Sequence, residues 1–151
     1  MQVDIIEQPP LRLHAMRYEG PVKNIGEVWG RLSAWAAERG LMGDIELAVG
    51  ACSAAPDAQG RVVYHAGLLL RGEAPASDGV EILNLEGGRY ASYRLTGPYG
   101  GIATAFPRLF GEWLPASGYR RDDRPALEIY RNNPSDTPEA ELITDLLVAI
   151  K

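Results

Sequence analysis

The sequence predicts an α+β fold made from two copies of a strand-helix-strand-strand unit. The segment Arg17–Pro21 recurs as Arg94–Pro98, and both segments end in Gly-Pro, 77 residues apart. At the same spacing Trp29 matches Phe106, within the apolar pattern that follows each Gly-Pro pair. Similarity at a fixed spacing is typical of internally duplicated folds, so we predict a pseudo-symmetric protein.

The spacing lengthens to 78 residues after the predicted helices, where Gly40 matches Gly118 and the segment 66–70 matches 144–148. We therefore predict a single domain over residues 1–151, with pseudo-repeats of roughly 1–75 and 78–151. Its antiparallel sheet is expected to be pseudo-twofold, with the helices on one face and a ligand groove on the other.

The first repeat contains one helical and three strand patterns. Apolar residues at helical spacing follow Ile25, and Gly40 stands where a left-handed residue would end the helix. The predicted strands are Leu11–Tyr18, Ile45–Val49 and Arg61–Leu70.

The second repeat is predicted to open with a hairpin, in which Glu81–Leu85 and Tyr90–Leu95 pair through a Glu-Gly-Gly turn. A helix follows from Ile102, which Pro107 should start or kink and which Leu114-Pro115 should end. The remaining predicted strands are Ala126–Tyr130 and Ile143–Ile150.

Composition excludes several classes of function. The net charge is −5 and the basic residues are scattered, so we expect no direct binding to nucleic acid. Cys52 is the single cysteine, and with His14 and His65 it shows no metal-ligand spacing, so we expect no metal and no cofactor. Neither a signal segment nor an apolar run long enough for a membrane span is present, so we expect a cytoplasmic protein without membrane contact.

The strand Ala126–Tyr130 carries the main candidate for a binding residue. Alternation should send Leu127 and Ile129 under the helices, and Glu128 and Tyr130 into the open groove. A strand glutamate is usually a solvated surface residue, but a carboxylate in an aromatic groove suits a cation or a reacting proton.

The order of motifs resembles the GyrI-like small-molecule-binding family, which includes gyrase-inhibitory proteins and the effector-binding domains of AraC-type and MerR-type transcription regulators. The resemblance spans nearly the whole chain and is carried by Gly20-Pro21, Trp29–Trp35, Gly87–Ala91, Gly97–Tyr99, Trp113–Tyr119 and Pro125–Pro134. Two departures concern the segment 51–56, which lacks the family's Asp-rich loop, and Leu95, where a histidine often stands.

The resemblance implies that Glu128 is a pocket glutamate that faces cationic aromatic ligands, with Tyr130 beside it. Further candidates for ligand contact are Tyr99 at the groove's edge and, by pseudo-symmetry, Tyr64 and Tyr18. Packing explains the presence of these three tyrosines equally well. We therefore predict a stand-alone protein that senses or sequesters hydrophobic, cationic small molecules rather than an enzyme.

Two alternatives stay open. Some family members are hydrolases of strained cyclopropane-type toxins, and in such an enzyme Glu128 would be the general base. Alternatively, the chain resembles the gyrase inhibitors in function and binds a protein partner such as a topoisomerase.

Overall fold

The computed structural model describes residues 1–53 and 55–151. These residues form strands with the bounds β1 Val3–Gln8, β2 Leu11–Pro21, β3 Ile45–Cys52, β4 Arg61–Leu70, β5 Glu81–Leu85, β6 Gly88–Thr96, β7 Ala126–Tyr130 and β8 Ile143–Ala149. The helices are α1 Gly26–Glu38, α2 Ile102–Arg108 and α3 Leu114–Ser117. The predicted α+β class is confirmed, and none of the described helices is long and apolar enough to span a membrane.

The chain divides into two compact units, which we call the first unit (residues 10–86) and the second unit (residues 1–9 and 87–151). In the first unit the antiparallel strands are ordered β3-β4-β2-β5, and in the second unit they are ordered β7-β8-β6-β1. In each unit the strand that enters the helix, β2 or β6, thus lies between the last repeat strand, β4 or β8, and an edge strand, β5 or β1. The unit bounds differ from the predicted repeat bounds because β1 belongs with the second unit and β5 with the first.

The edge strand of each unit comes from an unexpected place in the chain. β5 pairs with β2, where Leu85 lies opposite Leu11, and β1 pairs with β6, where Val3 lies opposite Tyr93. The predicted hairpin between β5 and β6 is therefore wrong. A two-residue hairpin link makes its strands neighbours, whereas here the links Pro9-Pro10 and Glu86-Gly87 pass the chain from one unit to the other.

Strand register corrects the predicted alignment of the repeats. Arg17 lies opposite His65 between β2 and β4, and Arg94 lies opposite Asp145 between β6 and β8. Because Arg17 and Arg94 are equivalent, His65 is equivalent to Asp145, at a spacing of 80 residues rather than 78. The apolar runs of β4 and β8 are similar enough to hide a shift of two residues, which leaves the facing of each side chain unchanged.

The helical segment of the second unit continues beyond its predicted C-terminal end. Pro107 lies inside α2, and a π-helical stretch, Leu109–Trp113, follows directly before α3. Loss of a backbone donor at proline favours such a local irregularity. Pro115 does not end the helix: it lies within α3, directly after the π-helical stretch, and the helical backbone continues to Ser117. The left-handed Gly118, with φ +80°, ends it instead.

Each unit has its own helix-packed core. In the first unit the buried face of α1, which includes Leu32 and Trp35, packs against strand residues such as Tyr64 and Leu68. In the second unit Ala105 and Leu109 pack against β8, at Leu146 and Val148. These contacts define which face of each set of strands lies under its helix.

Candidate functional site

Glu128 lies on the helix side of the second unit, opposite to the prediction. In the antiparallel pair of β7 and β8, Glu128 is opposite Leu146, which packs against α2. Directly opposed residues point to the same face, so Glu128 shares the face of Leu146, whereas Leu127 and Ile129 point away from α2. Leu127 and Ile129 are nevertheless fully buried, so burial alone does not reveal the helix side.

Glu128, Tyr130 and Tyr99 form one cluster, which we call the Glu128 cluster. The Tyr130 hydroxyl donates a hydrogen bond to the Glu128 Oε1 atom at 2.7 Å. The Tyr99 ring meets the Tyr130 ring edge-on, with 5.2 Å between their centroids. All three side chains are half-buried. The predicted common face of Glu128 and Tyr130 is therefore present, with Tyr99 added from the turn before α2.

The turn that carries Tyr99 is held close to the strands. Gly97, at φ +126°, donates its backbone N–H to the Leu142 carbonyl at 2.8 Å. Two residues beyond Tyr99, a Cβ atom added to Gly101 would lie 3.2 Å from the Leu95 side chain, so glycine permits this close approach. Burial raises the pKa of the Tyr99 hydroxyl, because the phenolate would lose hydration.

Tyr18 and Tyr64, the other two predicted site residues, belong to the core of the first unit. They lie opposite each other between β2 and β4 and are almost completely buried beside α1. The Tyr18 hydroxyl donates to the Pro21 carbonyl at 2.6 Å, and Trp29 Nε1 donates to the Tyr64 hydroxyl at 3.1 Å. Both hydroxyls therefore have hydrogen bonds within their own unit, and a ligand contact by either tyrosine stays a prediction.

The first unit has no counterpart of the glutamate. The register places Gly50 opposite Ala66, as Glu128 lies opposite Leu146, so Gly50 is equivalent to Glu128. By the same register Cys52 is equivalent to Tyr130. At these two positions the second unit therefore carries a carboxylate and a phenol, whereas the first unit carries a glycine and a thiol.

A separate cavity of about 330 Å³ lies in the first unit, where α1 meets the segment before β5. Trp35 and Arg39 line it, with the Arg39 guanidinium stacked 4.9 Å from the Trp35 ring and paired with Asp78. Arg39 also pairs with Glu38 at 3.8 Å. Arg17 and Arg31 also line the cavity, so its wall carries three guanidinium groups against the two carboxylates of Glu38 and Asp78.

The Glu128 cluster combines a carboxylate with two aromatic rings. Such an arrangement attracts cations through the carboxylate charge, and aromatic faces add cation–π attraction of about 0.5 to 2 kcal/mol. Across the described residues, no three His, Cys, Asp or Glu side chains are placed to hold a metal ion. The chemistry that this cluster offers is thus charge attraction, aromatic contact and proton exchange between a phenol and a carboxylate.

Comparison with known proteins places the chain in one class. The sequence model of the GyrI-like small molecule binding domain matches residues 1–151, so the chain belongs to the GyrI-like family. A DNA gyrase inhibitor from Edwardsiella piscicida is 34% identical over 135 residues, which are 86% of each protein. The family resemblance expected from the sequence is confirmed.

Two solved structures share the fold at low sequence identity. The C-terminal domain of EcmrR has a TM-score of 0.79 and 13% identity, covering 99% of this chain and 97% of that domain. The structure of SAV2435 bound to tetraphenylphosphonium has a TM-score of 0.72 and 14% identity, covering 100% of this chain and 94% of SAV2435. At these identities the likeness establishes the fold.

Proposed function

We propose that this protein binds hydrophobic, cationic small molecules at the Glu128 cluster and serves to sense or sequester them. The observation that carries the proposal is the arrangement of Glu128, Tyr130 and Tyr99 on one half-buried face. A half-buried carboxylate is only partly screened by water, so it attracts an organic cation more strongly than a surface carboxylate does. The tetraphenylphosphonium bound by SAV2435 belongs to this ligand class.

The hydrogen bond from Tyr130 supports the assignment of Glu128 as the counter-ion. A phenol that donates to a carboxylate stabilises its charged form and fixes its orientation. The edge-on contact with Tyr99 in turn holds the Tyr130 ring. Rigid rings around one charge recognise a class of flat or bulky cations rather than a single compound.

The test compares a cation with a neutral molecule of similar shape. Tetraphenylphosphonium and triphenylphosphine oxide are titrated calorimetrically into the wild type, Glu128→Gln and the exposed control Glu139→Gln. We expect Glu128→Gln to weaken the cation at least tenfold and to leave the neutral compound within about twofold. Equal losses for both compounds, or a loss in the control as large as in Glu128→Gln, would remove the counter-ion role.

The same hydrogen bond also supports the hydrolase alternative. The Glu128 carboxylate could take a proton from water while the Tyr130 hydroxyl, 2.7 Å away, protonates the leaving group. Mass analysis of cyclopropane-bearing electrophiles after incubation distinguishes the two functions. Conversion by the wild type but not by Glu128→Gln would establish an enzyme, whereas unchanged compounds favour a binding protein.

The name of the Edwardsiella relatives suggests a protein partner, and the third alternative is therefore a topoisomerase-binding module. A gyrase supercoiling assay with the wild type and Glu128→Gln tests it. Inhibition that both proteins show equally, without binding of either small molecule, would favour the protein partner over a ligand.

A further inference from the structure

Thr144 carries an unsatisfied hydroxyl in the interior of the second unit. Its side chain is fully buried, and among the described residues its Oγ1 atom has no hydrogen-bond partner. Buried hydroxyls normally have a partner, because an unpaired one loses its hydration without compensation. A buried polar atom that the fold leaves unsatisfied therefore needs an explanation.

The position of Thr144 connects it with the Glu128 cluster. Thr144 lies opposite Tyr130 on β7 and opposite Leu95 on β6, so the three side chains form one row on the helix side. Glu128 stands in the neighbouring row, opposite Leu146. The hydroxyl is thus the cross-strand neighbour of Tyr130 and the diagonal neighbour of Glu128.

The first unit shows how a hydroxyl at this position is satisfied within the fold. By the 80-residue spacing, Tyr64 is equivalent to Thr144, and it accepts a hydrogen bond from Trp29 at 3.1 Å. Phe106 is equivalent to Trp29 and has no N–H to donate. The second unit therefore keeps a polar group at this position without the donor that serves it in the first unit.

The turn before α2 covers this row of side chains. Gly101 approaches Leu95 at one end of the row, and the Tyr99 ring contacts Tyr130 at the other. A ligand that enters between Tyr99 and Tyr130 would open the cover above Thr144. Separation of the two rings then exposes the hydroxyl beside the carboxylate.

We propose that the Thr144 hydroxyl is a specificity-determining contact, which hydrogen-bonds a polar group carried beside the cationic centre of the ligand. The inference rests on the proposed function and deepens it: Glu128 selects for positive charge, and Thr144 selects among cations. The preferred ligands are hydrophobic cations that carry a hydroxyl, amine or amide substituent, rather than purely hydrocarbon cations.

The test uses two cations that differ in one group, (4-hydroxymethylphenyl)triphenylphosphonium and (4-ethylphenyl)triphenylphosphonium. Affinities are measured for the wild type, Glu128→Gln, Thr144→Val, Thr144→Ser and the exposed-strand control Thr96→Val. Valine matches threonine in shape but lacks the hydroxyl, whereas serine keeps it. Thermal unfolding of each variant is recorded alongside.

We expect the wild type to prefer the hydroxymethyl cation at least fivefold, and Thr144→Val to lose this preference while binding the ethyl cation as before. Thr144→Ser should keep the preference, and Thr96→Val should behave as the wild type. Thermal unfolding of Thr144→Val should occur no lower than that of the wild type, because no internal hydrogen bond is removed.

Other outcomes overturn the inference separately from the proposed function. If both cations bind and Glu128→Gln weakens both, but Thr144→Val changes neither or both equally, the Thr144 contact is wrong and the proposed function stands. A Thr144→Val protein that unfolds well below the wild type would show that the hydroxyl has an internal structural partner. If neither cation binds the wild type, the proposed function and the Thr144 contact both fall.

Discussion

Arg94 forms a two-pronged ion pair with Asp145 across the β6–β8 strand pair. Its Nε atom donates to Oδ1 at 2.8 Å and its Nη2 atom donates to Oδ2 at 3.0 Å, while Arg131 Nε donates to the same Oδ2 at 2.8 Å. Burial raises the pKa of the Asp145 carboxyl, but the hydrogen bonds from Arg94 and Arg131 outweigh burial and leave this pKa below its ordinary value. Asp145 is thus a buried anion that two arginines keep charged.

The first prediction concerns this carboxylate and acid. Because its pKa is lower in the folded state than in the unfolded chain, its stabilisation is full above a pH of about 4 and is lost as the pH falls through the folded-state value. Asp145→Asn should lower the free energy of unfolding at pH 7 by about 2 kcal/mol, since it removes charge-assisted hydrogen bonds. Urea unfolding at pH 7 and pH 3 measures both effects.

The control for Asp145 is Asp123→Asn, an exposed aspartate of the same unit. It should change the free energy of unfolding by less than about 0.5 kcal/mol. A difference between wild type and Asp145→Asn that is as large at pH 3 as at pH 7 would contradict the role of the charge.

The second prediction concerns His65, which occupies the equivalent position in the first unit. Burial lowers its pKa, and Arg17 lowers it further, although Glu81, 3.6 Å away, acts in the opposite direction. The folded protein therefore disfavours the charged imidazole, and its stability should rise with pH up to about 6.5, the ordinary histidine value. His65→Gln should flatten this part of the stability profile, as measured by thermal unfolding between pH 5 and pH 7.

Glu81→Gln provides the comparison for His65, because the Glu81 carboxylate raises the pKa of this imidazole. Its removal should lower the pKa of His65 further and enlarge the rise in stability between pH 5 and pH 7. Should His65→Gln retain the full slope, another group must cause it.

The third prediction separates the ring of Tyr99 from its hydroxyl. Tyr99→Phe keeps the edge-on contact with Tyr130 and should bind tetraphenylphosphonium within about twofold of the wild type. Tyr99→Ala removes the ring and should weaken binding by about 3- to 10-fold, because one aromatic wall is lost. Calorimetric titration checks both, and a larger effect from phenylalanine than from alanine would contradict the wall role.

The fourth prediction concerns the hydrogen bond between Trp29 and Tyr64 in the first unit. Trp29→Phe and Tyr64→Phe each remove one partner, and each should cost about 1 kcal/mol of unfolding free energy. The double variant should cost less than the sum of the two, because the second change removes a bond that is already broken. Urea unfolding of the four proteins completes the cycle, and strict additivity would mean that the bond contributes nothing.

The sequence predicts well those features that depend on residues close together in the chain. The bounds of β4 and β5 agree with their predictions, and the left-handed Gly40 follows the end of α1, where the sequence placed such a residue. Alternation within Ala126–Tyr130 also predicts that Glu128 and Tyr130 share a face, as their hydrogen bond confirms. These features depend on residues close together in the chain, where spacing alone sets the geometry.

Features that depend on distant partners were less predictable. The side of the strand that Glu128 occupies follows from its pairing with β8, because Leu127 and Ile129 are buried as deeply as any residue under a helix. The pairing of β1 with β6 gives no local signal, since neither strand ends in the turn of a hairpin with the other. Thr144 was missed because an isolated threonine in an apolar strand is unremarkable until its hydrogen-bond partners can be sought.

The placement of β1 has a consequence for synthesis on the ribosome. Residues 10–86 form a continuous segment whose strands can all pair as soon as Leu85 has emerged, whereas Val3–Gln8 must wait for Gly88–Thr96. Until residues 88–96 have been made, the β1 backbone lacks its partner strand, and an unpaired strand can pair with another chain. Its charged Asp4 and Glu7 discourage such wrong partners until β6 is made.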